Sequence, residues 1–440
     1  MVNLKDYRIV IPTAPTYNER RAADFIVSCV KIVAGYKLPV VYDTESPVAR
    51  ELVIGRTSRE KLDGIFFDRR AEREWEGEIK AVGERIYLTG LGVNTENTAV
   101  PFSKIAYLTD GAYGAIFSAY RFVENVVGYK FVYAAHEEFP MRENIEFEPD
   151  EIAIELTGKR LANEIPCKKD GCCLYSIPST DLNRSIQSIV IKSVSEKLTV
   201  IDGGSAEDAE HLMDILNALS ENEVTTVSAW FITALKPDRV GALSKLLSLK
   251  KVNIEKIYHS LMPREFYTDT ATDKSGNYAP LFDSLTSSDK LIRLEQNDRI
   301  HIDGIDISAV HVSTSDAICI NDSSTVLRIV TPSGKRIMLY GNAGAITDKS
   351  LLGYSKEELK SDVIILGNEG AQSISLRSAS LIEAKEALFS VLDREWYGEK
   401  GEGLYTTNIP IIRARAALIY AGADTQNIYR NTHGIFRLSL

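Results

Sequence analysis

The chain has 440 residues, 44% of them hydrophobic and 25% charged, with a formal net charge of -10. That length exceeds one ordinary core and predicts two domains. An acidic chain without a basic run is a poor partner for nucleic acid or an anionic membrane, and no apolar run approaches the roughly 20 residues that span a bilayer.

The start, Met1 to Arg8, is polar and lacks the apolar core and small-residue cleavage site of a signal peptide, so a cytoplasmic protein is expected. The five cysteines are Cys29, Cys167, Cys172, Cys173 and Cys319. An odd number without a leader reads as reduced thiols.

Tyr7 to Ile11 alternates as a strand, and Thr16 with Glu19 forms a Thr-x-x-Glu capping box. Phe25, Ile26, Cys29, Val30 and Val33 follow on one helical face, closed by Gly35. Glu51 to Gly55 is a second strand that ends in the polar turn Arg56-Thr57-Ser58-Arg59. Ile79 to Val82 and Arg85 to Thr89 predict a hairpin around Gly83-Glu84. Asp110 is expected to cap a helix carrying Ala115, Ala119, Phe122 and Val123 inward, stopped at Gly128 and followed by a strand from Tyr129 to Tyr133. The pattern is a small α+β domain over residues 1–150. Glu72, Glu74, Glu76 and Glu78 alternate on one strand face, where they repel unless solvated; a solvated edge is expected, not a catalytic carboxylate pair.

Glu51 to Arg59, Gly111 to Ala115 and Tyr120 to Tyr129 resemble the accessory domain that precedes the catalytic barrel of α-glucuronidases and some hexosaminidases. The resemblance implies a non-catalytic domain. No barrel follows, so it brings only a hint of carbohydrate association. Gly111 and Gly114 are expected to serve close helix–sheet packing.

Residues 151–183 hold Pro166, Pro178 and the cluster Cys167, Cys172 and Cys173, with neither helical nor strand period. They read as a connector with room for one added strand, the cysteine cluster falling in an exposed loop. The cysteine spacing matches no common zinc knuckle.

From 184 to 440 the chain alternates β-rich blocks with helices. Ser188 to Ile191 and Leu198 to Ile201 are apolar, β-branched runs ending in Asp202-Gly203-Gly204. Ser205 and Asp208 give a capping-box-like start to a helix whose core stripe is Ala209, Leu212, Met213, Leu216 and Leu219, with His211 off the stripe. A strand from Val224 to Thr233 precedes the loop Ala234-Leu235-Lys236-Pro237-Asp238-Arg239, then a helix through Val240, Leu243 and Leu247. Ile254 to Tyr258 is a strand, Asp303-Gly304 a tight hairpin turn, and Val326 to Val330 pairs with Ile337 to Tyr340 across Pro332-Ser333-Gly334. Val363 to Leu366 is a buried strand, with helix, strand and helix expected beyond it. Two such blocks describe a four-layer αββα sandwich.

These anchors resemble the metallo-β-lactamase fold, and within it the subgroup of bacterial competence proteins. The matching stretches are Val200 to Gly204, Asn321 to Arg328, Tyr340 to Gly344, Gly367 to Gly370, Ile409-Pro410 and Ile428 to Gly434. In that family a His-x-His-x-Asp-His loop and downstream residues bind two metals. At the corresponding positions this chain has Ala234, Lys236, Asp238 and Arg239, then Asn342, Asn368 and Ile409. Only Asp238 keeps a usual ligand type. The resemblance therefore implies the fold without its binuclear zinc site, and no cofactor is expected.

Among the histidines, His311 shares the apolar strand face of Ile305 and Ile307 and is expected to be a hydrogen-bonded core residue. His301 is expected to face out, and His259 ends a strand near the pocket rim. Lys236 and Arg239 suggest fixed positive charge in place of metal charge, paired with Asp238, Asp202 and Glu369. One reading is a structural ion-pair network; the sharper one is a small anion or sugar acid held by Lys236 and Arg239, with Asn342 and Asn368 as neutral partners. The expected function is a catalytically inactive binding or scaffolding protein. The alternatives are a metal-independent hydrolase, or one with a single metal on Asp238 and His311. Oligomeric state is not legible.

Overall fold

The computed structural model describes residues 1–70, 77–92, 113–133, 136–152, 154–156, 166, 171–181, 184–220, 225–268, 278–367, 373–392, 410–424, 427–431 and 434–440. The chain divides into two compact units, the first built on Met1–Lys159 and the second on Arg160–Trp396 and Thr407–Leu440.

In the first unit six strands form a sheet in the order Ile154–Leu156, Gly77–Val82, Arg85–Gly90, Glu51–Ile54, Arg8–Ile11, Val40–Tyr42. The last four of these pair in parallel, and Gly77–Val82 and Arg85–Gly90 make the expected hairpin. The helix Tyr17–Ala34 has the capping box at Thr16 and Glu19, and Gly35 ends it at φ 77°. A second helix, Tyr113–Phe122, packs Tyr120 on Phe25 of the first, ring centroids 4.6 Å apart. The close approach to the sheet falls at Gly77, where a Cβ would strike the Gly114 carbonyl oxygen. Asp110, Gly111 and the carboxylates Glu72, Glu74 and Glu76 lie outside the described residues.

The Ile54-Gly55-Arg56-Thr57-Ser58-Arg59 turn has a structural purpose. A side chain at Gly55 would collide with the capping carboxylate of Glu19. Arg59 reaches back to the buried Glu51, donating from Nε at 2.9 Å, and also to the carbonyls of Asp43 and Glu45 at 3.0 and 2.7 Å. Arg8 and Arg85 complete a three-guanidinium cage around Glu51. Burial alone would raise the Glu51 carboxyl, but hydrogen bonds from Arg59 and Arg8 outweigh it and hold the group below its ordinary value.

In the second unit one sheet runs Leu291–Arg293, Ile257–His259, Thr226–Ile232, Leu198–Asp202, Ser188–Lys192, Cys173–Ser176, Phe436–Ser439. The other runs Arg299–Ile302, Ile305–His311, Val326–Val330, Arg336–Gly341, Val363–Gly367, Glu386–Ser390, Ile428–Arg430. The period of two sorts each strand between cores. Ile189, Ile191, Ile201 and Phe231 of the first sheet meet Ile307, Leu327, Ile337 and Ile365 of the second in one cluster. Val190, Val200, Trp230 and Ile232 point the other way, onto the helices Ala209–Leu219 and Pro237–Leu249. On the far face of the second sheet, Tyr340 donates to Asp348 of the helix Ala345–Leu351 at 2.6 Å. The layers are therefore helix, sheet, sheet, helix.

Several expectations need correction. The segment read as a connector with room for one strand contributes two, Ile154–Leu156 to the first sheet and Cys173–Ser176 to the second unit. Cys173 is buried in that strand instead of lying in an exposed loop, because it packs under the same core as Val190. Cys167 lies outside the described residues. Ser205 makes no cap on the following turn; its hydroxyl donates to Asp208, whose other oxygen takes Ser179 and the Thr180 amide, both at 2.9 Å. The pair ties two loops together where a capping box was expected. The strand Ile428–Arg430 falls where the resemblance has a closing strand, and a further strand, Phe436–Ser439, follows it.

Candidate functional site

The site forms where three polypeptide turns meet. At the end of Leu198–Asp202 the backbone turns left-handed, with φ 64° at Asp202. Asp tolerates that region better than most residues, and here its groups are tied on both sides. Its carboxylate accepts from the Thr233 amide at 2.8 Å and hydroxyl at 2.6 Å, and its carbonyl accepts from the Trp230 indole at 2.6 Å. The second turn, Thr233 to Lys236, leads into Pro237–Leu249, with Pro237 in the first turn, where its missing N–H costs nothing. Gly204 and Gln187 each donate a backbone N–H to the first turn of that helix, to the carbonyls of Arg239 and Asp238. Gly241 permits the approach, since a Cβ there would lie 2.5 Å from the Ala206 nitrogen. The third turn is Gly341-Asn342, with Gly341 at φ 56°.

Arg239 fills the centre. It is 1% exposed. Its Nη1 donates to Gln187 Oε1 and its Nη2 to Asn342 Oδ1. Asp202 Oδ2 lies 3.6 Å from Nη1, and Asp238 Oδ2 lies 3.6 Å from Nε. These are ion pairs without good hydrogen bonds, so the strong contacts of the guanidinium are to neutral amides. Gly367 gives it room: a Cβ there would run into Arg239 Nη2 and lie 2.7 Å from Asn342 Oδ1. Burial raises the Asp202 carboxyl to about 6, although Arg239 and Thr233 pull the other way.

The structure thus brings Asp202, Asp238, Arg239 and Asn342 together. Lys236 is half-buried at the helix start, with Nζ 3.4 Å from Asn321 Oδ1. Asn368, Glu369 and Ile409 lie outside the described residues. His311 is buried, its Nδ1 2.8 Å from the Ser350 hydroxyl and its ring pushed down to about 4 by burial. His301 is exposed and pairs with Asp306. His259 accepts from the Leu261 amide at 3.2 Å and is also lowered to about 4, by burial and then by Arg293. Gln187, Thr233 and Gly367 were not read from the sequence as site residues. Gln187 is fully buried just before the apolar strand Ser188–Lys192, and nothing in the sequence around it marks it as a site residue.

The described residues do not suit a binuclear metal centre. Ala234 offers no donor, Asn342 is a neutral ligand already engaged by Arg239, and the guanidinium of Arg239 is a cation that repels another. Among the described residues, no three of His, Cys, Asp and Glu gather as a ligand set. No described helix is long and apolar enough to cross a membrane.

No family model matches the sequence, and no curated protein matches it. Solved structures give distant likenesses. A metallo-β-lactamase fold protein from Bacillus subtilis is 12% identical, covering 61% of this chain and 100% of that one, with a TM-score of 0.37. A metallo-β-lactamase with a HARLDQ motif from Cronobacter sakazakii is 13% identical, covering 56% and 92%, with a TM-score of 0.33. A diiron β-hydroxylase from Streptomyces venezuelae is 10% identical, covering 62% and 54%, with a TM-score of 0.38. At such values these likenesses carry no argument about chemistry, and the four-layered architecture rests on the chain's own sheets and cores.

Proposed function

We propose that the second unit is a metallo-β-lactamase-like sandwich, of the competence-protein kind, whose catalytic pocket has exchanged metal for a resident guanidinium. The protein then acts by binding or scaffolding and not by hydrolysis. The observation that carries this reading is Arg239, 1% exposed and held by Gln187 and Asn342, with Asp202 and Asp238 beside it. A guanidinium keeps its charge at any working pH and cannot act as a Lewis acid or lower the pKa of a bound water, so it supplies the charge of a metal without its chemistry. The first unit would act as an accessory module with a carbohydrate-related ligand. The support there is its likeness in sequence to glycosidase accessory domains, whose motif residues Gly55 and Arg59 serve packing and loop anchoring in this chain.

The test is metal analysis of protein grown with added zinc, iron and manganese and purified without chelator, together with turnover of lactone and phosphodiester substrates. Less than about a tenth of an equivalent of metal, and no turnover, is expected. Near-stoichiometric metal that supports turnover overturns the reading.

A further inference from the structure

The parallel strands of the first unit reverse their order around Arg8–Ile11. From that strand the chain crosses through the helix Tyr17–Ala34 to Val40–Tyr42 on one side, and Glu51–Ile54 then pairs on the other side. Where strand order reverses in a parallel sheet, the loops beyond the carboxyl ends part, and ligands bind in the crevice between them, their anionic groups gripped by backbone amides. The two loops at this point are residues 12–16, after Arg8–Ile11, and residues 55–58, after Glu51–Ile54.

Two carboxylates of the chain itself span these loops. Glu19 Oε2 accepts from the Thr16 amide at 2.8 Å, and its Oε1 from the Arg56 amide at 3.4 Å. Asp43 Oδ1 accepts from the Thr13 amide at 3.1 Å and the Thr13 hydroxyl at 2.9 Å, and its Oδ2 from the Ser58 amide at 2.9 Å. Each carboxylate thus gives one oxygen to either loop. A capping box asks only for the Thr16 bond; the bond to Arg56 goes beyond capping and ties the helix start to the far loop. The far loop is shaped to receive it. Gly55 has φ 75°, and a Cβ there would collide with the Glu19 carboxylate. Glu19 is 4% exposed, whereas Asp43 is half-buried at the end of the edge strand. Charged acceptors on oriented amides are the interaction that a bound anion would make.

We infer that Glu19 and Asp43 act as a built-in ligand: they close the crevice at the strand reversal, hold its two loops together and keep a diffusible anion out. An acidic sugar bound by the first unit would then need another surface. The lock does not depend on the role of Arg239 in the second unit.

The test uses the full chain. Glu19→Ala empties one of the two positions and leaves the Thr16 cap in place. Amide hydrogen exchange across residues 55–58, read by mass spectrometry, should be at least about tenfold faster in this variant than in the parent. Formate at about tenfold above its dissociation constant should slow it again by about tenfold, and chloride at the same ionic strength should not. Formate should change nothing in the parent or in Glu19→Gln, whose amide fills the space. No formate effect in Glu19→Ala, or an equal effect in the parent, overturns the inference. Where Glu19→Ala does not fold, Asp43→Ala carries the same test at the Ser58 amide, with the same two overturning results.

Discussion

Arg239, in the first turn of the helix behind one sheet, donates to the side-chain oxygen of Asn342, which follows a strand of the opposite sheet. The guanidinium therefore fastens the two sheets together at the end of the sandwich where their connecting turns converge. Removing it leaves Asp202 as a buried carboxylate without its cation. Arg239→Ala should cost about 3–5 kcal/mol in urea unfolding, whereas Lys236→Ala, at a half-buried rim position, should stay within about 1 kcal/mol. The reverse ranking would show that Lys236, and not Arg239, holds the pocket.

Gly367 and Arg239 should be coupled. Gly367→Ala drives a methyl into the guanidinium and should cost about 1–3 kcal/mol by overpacking. In an Arg239→Ala background the methyl meets open space, so the same change should cost far less. A double-mutant cycle gives the coupling directly, and additivity within about 0.5 kcal/mol would mean that the side chain is not where the structure puts it.

Two buried groups should tilt stability with pH in opposite directions. Asp202 has its folded value raised to about 6 from 3.8, so the folded state holds the proton longer. Its contribution falls as pH rises from about 4 to 6, by on the order of 3 kcal/mol. His311 is lowered to about 4 from 6.5, so its contribution falls as pH drops through that same window. Stability measured from pH 4 to 7 should rise less steeply in His311→Gln than in the parent, and more steeply in Asp202→Asn. Parallel profiles for all three would refute both assignments.

In the first unit, Glu51 with its three arginines should be the most sensitive polar position. Glu51→Gln leaves Arg8, Arg59 and Arg85 without their shared anion and frees the loop carrying Asp43 to Val48. A loss of about 3–5 kcal/mol is expected. Limited proteolysis should show cutting near residues 43–48 before global unfolding; equal resistance in parent and variant would count against the cage as the anchor of that loop.

Local signals in the sequence carried well where local physics decides the outcome. The Thr16–Glu19 box, the Gly35 stop and the Asp303-Gly304 turn, at φ 49° and 83°, all formed as read. The alternation of Ile189 and Ile191 against Val190 likewise sorted the strand between two cores. The misreadings came from long-range partners. Ser205 and Asp208 have capping-box chemistry, but Asp208 is claimed by Ser179 and Thr180, some thirty positions earlier in the chain. Cys173 sits in a segment with no clear period, and only pairing with Ser188–Lys192 and Phe436–Ser439 makes it a strand. At the site, Asp202, Asp238, Arg239 and Asn342 could be named from the broken ligand pattern. Gln187 could not, because nothing near it in sequence announces that a guanidinium 52 positions later will need its oxygen.

The strand Phe436–Ser439 pairs with Cys173–Ser176, so the second unit is stitched shut by its own two ends. A ribosome releasing this chain has made seven of the eight strands of that sheet by residue 293 but must wait until residue 439 for the last. Until then the outer edge of Cys173–Ser176 lacks its partner, open to pairing with any other exposed strand. Ends that lie side by side also make the unit a natural subject for circular permutation. Joining residue 440 to 171 by a short linker and opening the chain at an exposed turn such as Ser333-Gly334 would let that sheet edge be made in one piece.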